Sequence, residues 1–288
     1  MVLSPQIRLF ARVLAAISLV GGIVSLTGCG EPKASAGDAL RGKLVLTGSS
    51  TVAPIATEIA RAFEALHPAV RVDVQSGGSS RGIADASSGL ADIGMASRAL
   101  KPDETARGLV EHPIAIDGIA VVVHADNPIA SLTSADVVAI YRGDVERWRD
   151  VGGADDPIVV VHKAEGRATQ EVFLRHYAID PAEVAADLIV GENQHALKTL
   201  AGSKHAIGYV SVGEAEHAIA DGAPLRMVTV DGITPSLDAV SDGTFAATRP
   251  LNLITAGAPR GLADRFLQFA RSETARALIQ GQRFAPTH

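Results

Sequence analysis

Between Leu44 and Leu100 the chain twice runs an apolar strand into a cluster of small hydroxyl and glycine residues and then into a helix. The first passage is Leu44-Val45-Leu46, then Thr47-Gly48-Ser49-Ser50-Thr51, then a helix carrying Ile55, Ile59, Phe63 and Leu66 on one stripe. The second is Val70 to Val74, then Gly77-Gly78-Ser79-Ser80-Arg81-Gly82, then a short helix through Ala86. A third strand, Ala91 to Ala96, ends at Ser97-Arg98. A strand end that opens a helix leaves backbone N–H groups unpaired and aims the positive end of the helix dipole outward, which suits an anion. Three such ends close together in sequence imply a fold built around one small oxyanion.

The rest of the chain continues the alternation. Pro102 starts a helix. Ile114-Ala115-Ile116-Asp117-Gly118 leads into the strand Ile119 to Val123, and Ser134 caps a helix from Ala135 to Tyr141. The strand Ile158 to Val161 feeds His162-Lys163-Ala164-Glu165-Gly166-Arg167-Ala168-Thr169 and a helix with Val172, Phe173 and Tyr177. Strands follow at Ala206–Val210, Leu225–Val230 and Leu251–Thr255, and a last helix over Leu262–Gln280. Such alternation predicts an α/β fold with mostly parallel sheets, in which ligands sit at the carboxyl ends of strands. A length of 288 residues is enough for two lobes with real cores. The net charge of −6 excludes a nucleic-acid binder and gives no long-range pull on an anion, so any anion affinity must be local. His162, His176, His195 and His205 lack tight ligand spacing, so neither a metal site nor a cofactor is expected.

The N-terminus reads as a targeting segment. Arg8 and Arg12 precede an apolar run from Val13 to Leu26, shorter than the roughly 20 residues a spanning helix needs. Leu26-Thr27-Gly28-Cys29 then has the form of a bacterial lipobox, and Cys29 is the only cysteine. The expectation is a signal peptide over 1–28, lipid attachment at Cys29 and a small-residue tether over 29–41. The protein would then be a membrane-anchored lipoprotein facing the periplasm or the cell surface.

The ordered set GSSTVAP, GGSSRGI, ADIGMASRAL, IAIDGIAVVV, AIGYVSVG and TRPLNLIT resembles the periplasmic phosphate-binding (Pst-type) component of ABC phosphate transporters, from about Gly42 to Pro286. The resemblance implies a type II periplasmic-binding-protein fold, with two α/β lobes closing across a hinge on one anion. Lobe one would be 42–122 plus 231–288, and lobe two 123–230, with Val121-Val122-Val123 and Val228-Thr229-Val230 near the hinge. It implies phosphate as ligand, ABC permease subunits as partners, a monomer, and no enzymatic activity.

The implied ligand residues carry over unevenly. Ser49, Ser50 and Thr51 match the first anion loop, although serine or threonine before a helix is by itself an ordinary cap. Ser79 or Ser80 matches the second loop, and Arg98 would offer a bidentate guanidinium fork. Asp117, in an Ile-Asp-Gly pattern like that of the family's shorter members, would accept the proton of hydrogen phosphate and repel sulfate; the alternative is a turn residue before Gly118. The loop that commonly reads Gly-Ser-Gly-Thr is here Gly166-Arg167-Ala168-Thr169, preceded by Lys163 and Glu165. Thr169 keeps a helix-start donor, Ala168 restricts close backbone approach, and Arg167 and Lys163 add charge. That departure leaves open a receptor or sensor for another oxyanion such as molybdate, tungstate or sulfate. From another class, Gly78-Ser79-Ser80-Arg81-Gly82 formally matches the nucleophile elbow of a serine hydrolase. Ser80 would then need a base within hydrogen-bond reach, drawn from Asp117 or Asp144 with His205 or His217.

Overall fold

The computed structural model describes residues 40–287. The targeting segment, Cys29 and most of the tether lie outside them. In chain order the elements are β1 (Gly42–Gly48), α1 (Val52–Leu66), β2 (Val70–Ser76), α2 (Ser79–Ser88), β3 (Ile93–Ala96), α3 (Pro102–Ala106), β4 (Leu109–His124), β5 (Ser131–Leu132) and α4 (Ser134–Arg142). They continue with β6 (Val159–Lys163), α5 (Ala168–His176), β7 (Leu188–Val190), α6 (Asn193–Ala201), β8 (Ala206–Ser211), α7 (Val212–Ala220), β9 (Leu225–Met227) and β10 (Thr229–Val230). The chain closes through α8 (Leu237–Ser241), β11 (Thr248–Ala256), α9 (Gly261–Ala270), α10 (Glu273–Gly281) and β12 (Ala285–Pro286).

The main strand path runs β2-β1-β3-β11-β4-β8-β6-β7, with β9 and β12 also pairing β4. Pairing is parallel within β2-β1-β3 and within β8-β6-β7, but β11 and β4 run antiparallel to their neighbours. The expectation of mostly parallel sheets therefore holds at the two ends of the path and fails at its centre. There, a strand returning from the chain's last quarter is inserted between β3 and β4.

One long strand contributes to three cores. Ile114 and Ala115 of β4 pack with α1, α9 and α10 around Leu46, Ile59, Phe63 and Phe266. Further along β4, Ile119, Val121 and Val123 face a second core with Tyr141, Trp148 and Phe173, while Ala120 and Val122 face a third with Leu197, Leu200 and Val210. The alternation is the period of two of an extended chain, and it explains why Ile119–Val123 reads as an unbroken apolar run: both faces are covered.

Local chemistry sets several boundaries away from their expected places. Thr133, not Ser134, caps α4, its hydroxyl accepting from the Asp136 N–H at 3.1 Å. The expected last helix is two, because Ser272 accepts from the Ala275 N–H at 3.3 Å and restarts the helix there. Leu66 ends α1 beyond the core and is 63% exposed, although Ile55, Ile59 and Phe63 are buried as the stripe predicts. The start of α2 depends on backbone contact: a Cβ on Gly82 would sit 2.4 Å from the Thr47 carbonyl oxygen and 2.6 Å from Gly48 Cα. Only glycine lets α2 lie this close to β1, and that approach aims Ser79 at the ends of β1 and β3.

Candidate functional site

At the carboxyl ends of β1 and β3, the side chains of Ser49, Thr51, Ser79 and Ser97 are buried together. Ser49 Oγ accepts from the N–H groups of Thr51 at 3.2 Å and Val52 at 3.3 Å, so it satisfies the first turn of α1 and leaves the Thr51 hydroxyl for another use. Ser79 Oγ accepts from the Ser97 N–H at 3.0 Å and lies 3.3 Å from Ser97 Oγ. Ser50 is half-buried at the tip of the loop.

Arg249 of β11 stands at the centre. The antiparallel register places it opposite Asp117, and its Nε and Nη2 donate to Asp117 Oδ2 at 3.0 and 2.8 Å. Nη1 donates to Thr169 Oγ1 at 2.7 Å and Ser97 Oγ at 3.3 Å, and Nη2 to Thr51 Oγ1 at 3.1 Å. Both side chains of the ion pair are almost wholly buried, at 0% and 1% exposure. The second Asp117 oxygen accepts from Ser211 Oγ at 2.9 Å and the Gly213 N–H at 3.4 Å, at the start of α7. Neither charge is therefore left uncompensated in the interior, where it would be very costly.

The hydroxyl arithmetic says what this arrangement can do. Thr51 Oγ1 accepts from Arg249 and also from Asn193 Nδ2 at 2.9 Å. Its two lone pairs are thereby used, and its O–H proton is free to be donated. Thr169 Oγ1 accepts from Arg249 and likewise keeps its proton. Hydroxyl donors from α1 and α5 thus converge beside one guanidinium, a set whose complement is a compact acceptor such as an oxyanion.

Lys163 and Glu214 add two buried ionisable groups. Lys163, at the end of β6, donates from Nζ to the Glu192 carbonyl at 3.1 Å. Burial brings its pKa down to about 7, with Arg249 adding to the effect and Glu214 opposing it. Glu214 Oε1 accepts from Asn193 Nδ2 at 2.7 Å. Burial raises its pKa to about 7, against the hydrogen bond from Asn193.

Other expected site residues lie at the rim. The Arg98 guanidinium, expected as the anion fork, is instead held by Glu104, with Nη1–Oε2 at 2.7 Å and Nη2–Oε1 at 2.8 Å, while Nε lies 3.3 Å from Glu171 Oε2. The cause is local: α3 begins at Pro102, and Glu104 folds back to accept the Lys101 N–H at 2.7 Å, which sets its carboxylate on Arg98. Burial works against the Arg98 charge, but Glu104 and Glu171 outweigh it and hold its pKa above the ordinary value. Ser80 donates to Glu171 Oε1 at 3.3 Å, and its N–H donates to the Gly166 carbonyl at 3.3 Å. Arg167 ion-pairs with Glu192 at 2.7 Å. Its Cδ would lie 3.1 Å from a Cβ on Gly78, where φ is +98°, so it covers that glycine. Ala168 is buried as the first residue of α5. Ser80, Lys101, Glu165, Gly166, Gln170 and Glu171 line a cavity at this rim.

The hydrolase constellation is not assembled. Asp117 is held by Arg249, and His205 and His217 lie on the surface beside Asp156 at 3.9 Å and Asp221 at 3.4 Å. Among the described residues no group of three or more His, Cys, Asp or Glu could hold a metal ion. Sequence reasoning did not single out Arg249, Ser97, Asn193, Ser211 or Glu214. A usable signal existed for Arg249, the one charge in the strand Thr248–Ala256, because a charge in so apolar a strand needs a buried partner.

Comparison with known proteins bears on the family and the fold. Residues 33–274 match the model of the PBP superfamily domain. The phosphate-binding protein PstS of Bacillus subtilis is 28% identical over 260 residues, covering 89% of this chain and 83% of that protein. A chain from Clostridium perfringens, described as a phosphate ABC transporter substrate-binding protein with bound phosphate, superposes with a TM-score of 0.80 at 29% identity, covering 86% of this chain and 100% of its own. An ABC-type phosphate transport receptor from Vibrio cholerae superposes at 0.70 with 28% identity, covering 84% and 99%. The chain has the type II binding-protein architecture and the family model spans most of its length, so it belongs to the PBP superfamily and is similar along that length to its Pst-type members.

Proposed function

We propose that this protein is an extracytoplasmic receptor that captures inorganic phosphate and delivers it to an ABC importer, working by closure and not by chemistry. The observation that carries the reading is the convergence of Thr51, Ser97, Thr169 and Asp117 on the buried Arg249. Lobe one, 42–122 with 231–288, supplies Ser49, Ser50, Thr51, Ser79, Arg249 and Asp117, and lobe two, 123–230, supplies Lys163 and Thr169. The lobes share β4, and Val121–Val123 with Val228–Val230 absorb the closing motion. The PstS relatives support phosphate as the ligand and the transporter as the context.

Each charge-assisted hydrogen bond contributes about 1.5–3 kcal/mol net, so tight capture needs several from both lobes at once. Ser80, Gly166, Arg167, Ala168 and Arg98 act at the rim, where Glu171 ties the closed edges together and Glu192 holds Arg167 within lobe two. Residues 1–28 direct export, and Cys29 carries the lipid that anchors a monomer beside its permease. Among the described residues, no helix is long and apolar enough to cross a membrane.

Calorimetric titration of the full chain in detergent, stripped of endogenous ligand, tests the reading with phosphate, arsenate, sulfate, molybdate and tungstate. Submicromolar phosphate binding with sulfate silent is the expected result. Silence toward phosphate with binding of another of these anions would reassign the ligand. Silence toward all of them would end the receptor reading.

A further inference from the structure

The Asp117 carboxylate has no acceptor site to spare. Oδ2 takes two bonds from Arg249, and Oδ1 takes one from Ser211 and one from Gly213. A carboxylate offers about four lone-pair sites, so a ligand O–H would have to displace one of these partners. A second carboxyl group stands nearby with capacity in hand. Glu214 is 7% exposed, and among the described residues the one side-chain donor on it is Asn193 Nδ2, which also donates to Thr51 Oγ1. Glu214 Oε1 therefore lies within two hydrogen-bond lengths of the Thr51 hydroxyl, which touches Arg249 in turn.

We propose that Glu214 is the proton-reading residue of this cleft: it shares one proton with the bound phosphate, while Asp117 serves to hold Arg249 and the start of α7. The inference rests on the phosphate reading above. Either dihydrogen phosphate's O–H donates to the Glu214 carboxylate, or the protonated Glu214 donates to hydrogen phosphate, the dianion. Both describe one complex holding one proton more than the separated carboxylate and dianion. The proton is drawn from solvent, and no bond to phosphorus changes.

The surroundings favour this sharing. Facing Glu214 are Asp117 from β4, Lys163 from β6, Arg249 from β11 and Asn193 from α6; Lys163 in turn faces Glu192 and Arg167. Arg249 is already neutralised by Asp117, so a dianion arriving beside an ionised Glu214 meets repulsion that one added proton removes. Sulfate brings no proton at neutral pH, and it pays that repulsion in full whenever Glu214 is ionised.

The test is calorimetric titration of the full chain with phosphate and sulfate between about pH 6 and pH 8.5, in buffers of different ionisation heat. Near pH 8 the wild type is expected to take up close to one proton per phosphate, with affinity falling by up to about tenfold per pH unit above that range. Glu214→Gln is expected to abolish the uptake, flatten the pH profile and raise sulfate affinity at least about tenfold, because the amide can donate to a dianion. Uptake retained in Glu214→Gln but lost in Lys163→Met would overturn the assignment, as would a wild type that binds phosphate near pH 8 with no proton uptake, a result that needs no variant to fold. A wild type that binds no phosphate at any pH would instead sink the receptor reading itself.

Discussion

Replacing Arg249 by methionine separates the stabilising role of the central ion pair from its role in binding. The substitution removes five hydrogen bonds, two to Asp117 and one each to Thr51, Thr169 and Ser97. It leaves the 1%-exposed Asp117 facing a thioether, with only Ser211 and Gly213 still donating to it. Breaking one side of a buried ion pair costs about 3–5 kcal/mol, because the surviving charge stays buried. For a chain of this size 1 kcal/mol moves the melting midpoint about 2–4 °C, so a fall of roughly 6–20 °C is expected by calorimetric scan. Adding Asp117→Asn removes the stranded charge, and the double variant is expected to recover most of that loss. Phosphate affinity should not recover with it: the Thr51 and Thr169 hydroxyls that Arg249 orients lose their alignment, and about two charge-assisted bonds from them to the anion are worth roughly 3–6 kcal/mol, a factor of about a hundred to ten thousand. A double variant as unstable as Arg249→Met would refute the ion-pair argument. Phosphate affinity within about threefold of wild type in Arg249→Met would refute the placement of the anion beside the guanidinium.

Three further outcomes follow from other parts of the molecule. Glu171→Ala removes the carboxylate that meets Ser80, Arg98 and Lys101 at the rim. Because Glu104 still pairs with Arg98, stopped-flow measurements should show phosphate leaving several-fold faster, with stability changed by no more than about 1 kcal/mol. Gly82→Ala drives a Cβ to 2.4 Å from the Thr47 carbonyl oxygen, an overpacking expected to cost about 1–3 kcal/mol in denaturant titration; an unchanged midpoint would show that α2 can lift off the sheet freely. Burial lowers the His162 pKa from 6.5 to about 4, so the unfolded chain binds the proton first as pH falls. The stability from the neutral imidazole is full above about pH 6.5, drains as the pH drops towards about 4, and is expected to stop changing below that, with His162→Gln flattening this part of the profile.

The fold was legible because its determinants are local. Val52–Phe63 shows the helical stripe, and Ile119–Val123 shows the continuous apolar run of a strand covered on both faces. Glycine and hydroxyl clusters marked where strands turn into helices. The antiparallel centre of the sheet was not legible. Nothing within Thr248–Ala256 says that it will lie between β3 and β4, since that placement depends on partners more than a hundred residues away. The break at Ser272 was missed for the opposite reason: a single cap overrode a helical pattern that continues on both sides of it.

The candidate site divides along the same line. Ser49, Thr51, Ser79 and Thr169 were expected at one site because a hydroxyl before a helix is a short-range signal, and the fold gathers those helix starts. Arg98 was expected to be the anion fork, a role that the proposed reading gives to Arg249, although both are buried arginines at strand ends. What separates them is the nearest carboxylate. Glu104 lies six residues from Arg98 and is bound to reach it once α3 forms. Arg249 meets Asp117 across 132 residues of chain, through a β-ladder register that no local pattern specifies. A charge pair made within one loop is completed by local folding, and it can brace that loop whatever the rest of the molecule does. A pair made across the chain exists only once the whole fold has formed, and Arg249 then reaches Thr169 as well as Thr51 and Ser97. An anion that must be released when the lobes part gains most from donors whose alignment depends on closure. On the proposed reading the anion therefore sits at Arg249, and Arg98 braces the rim.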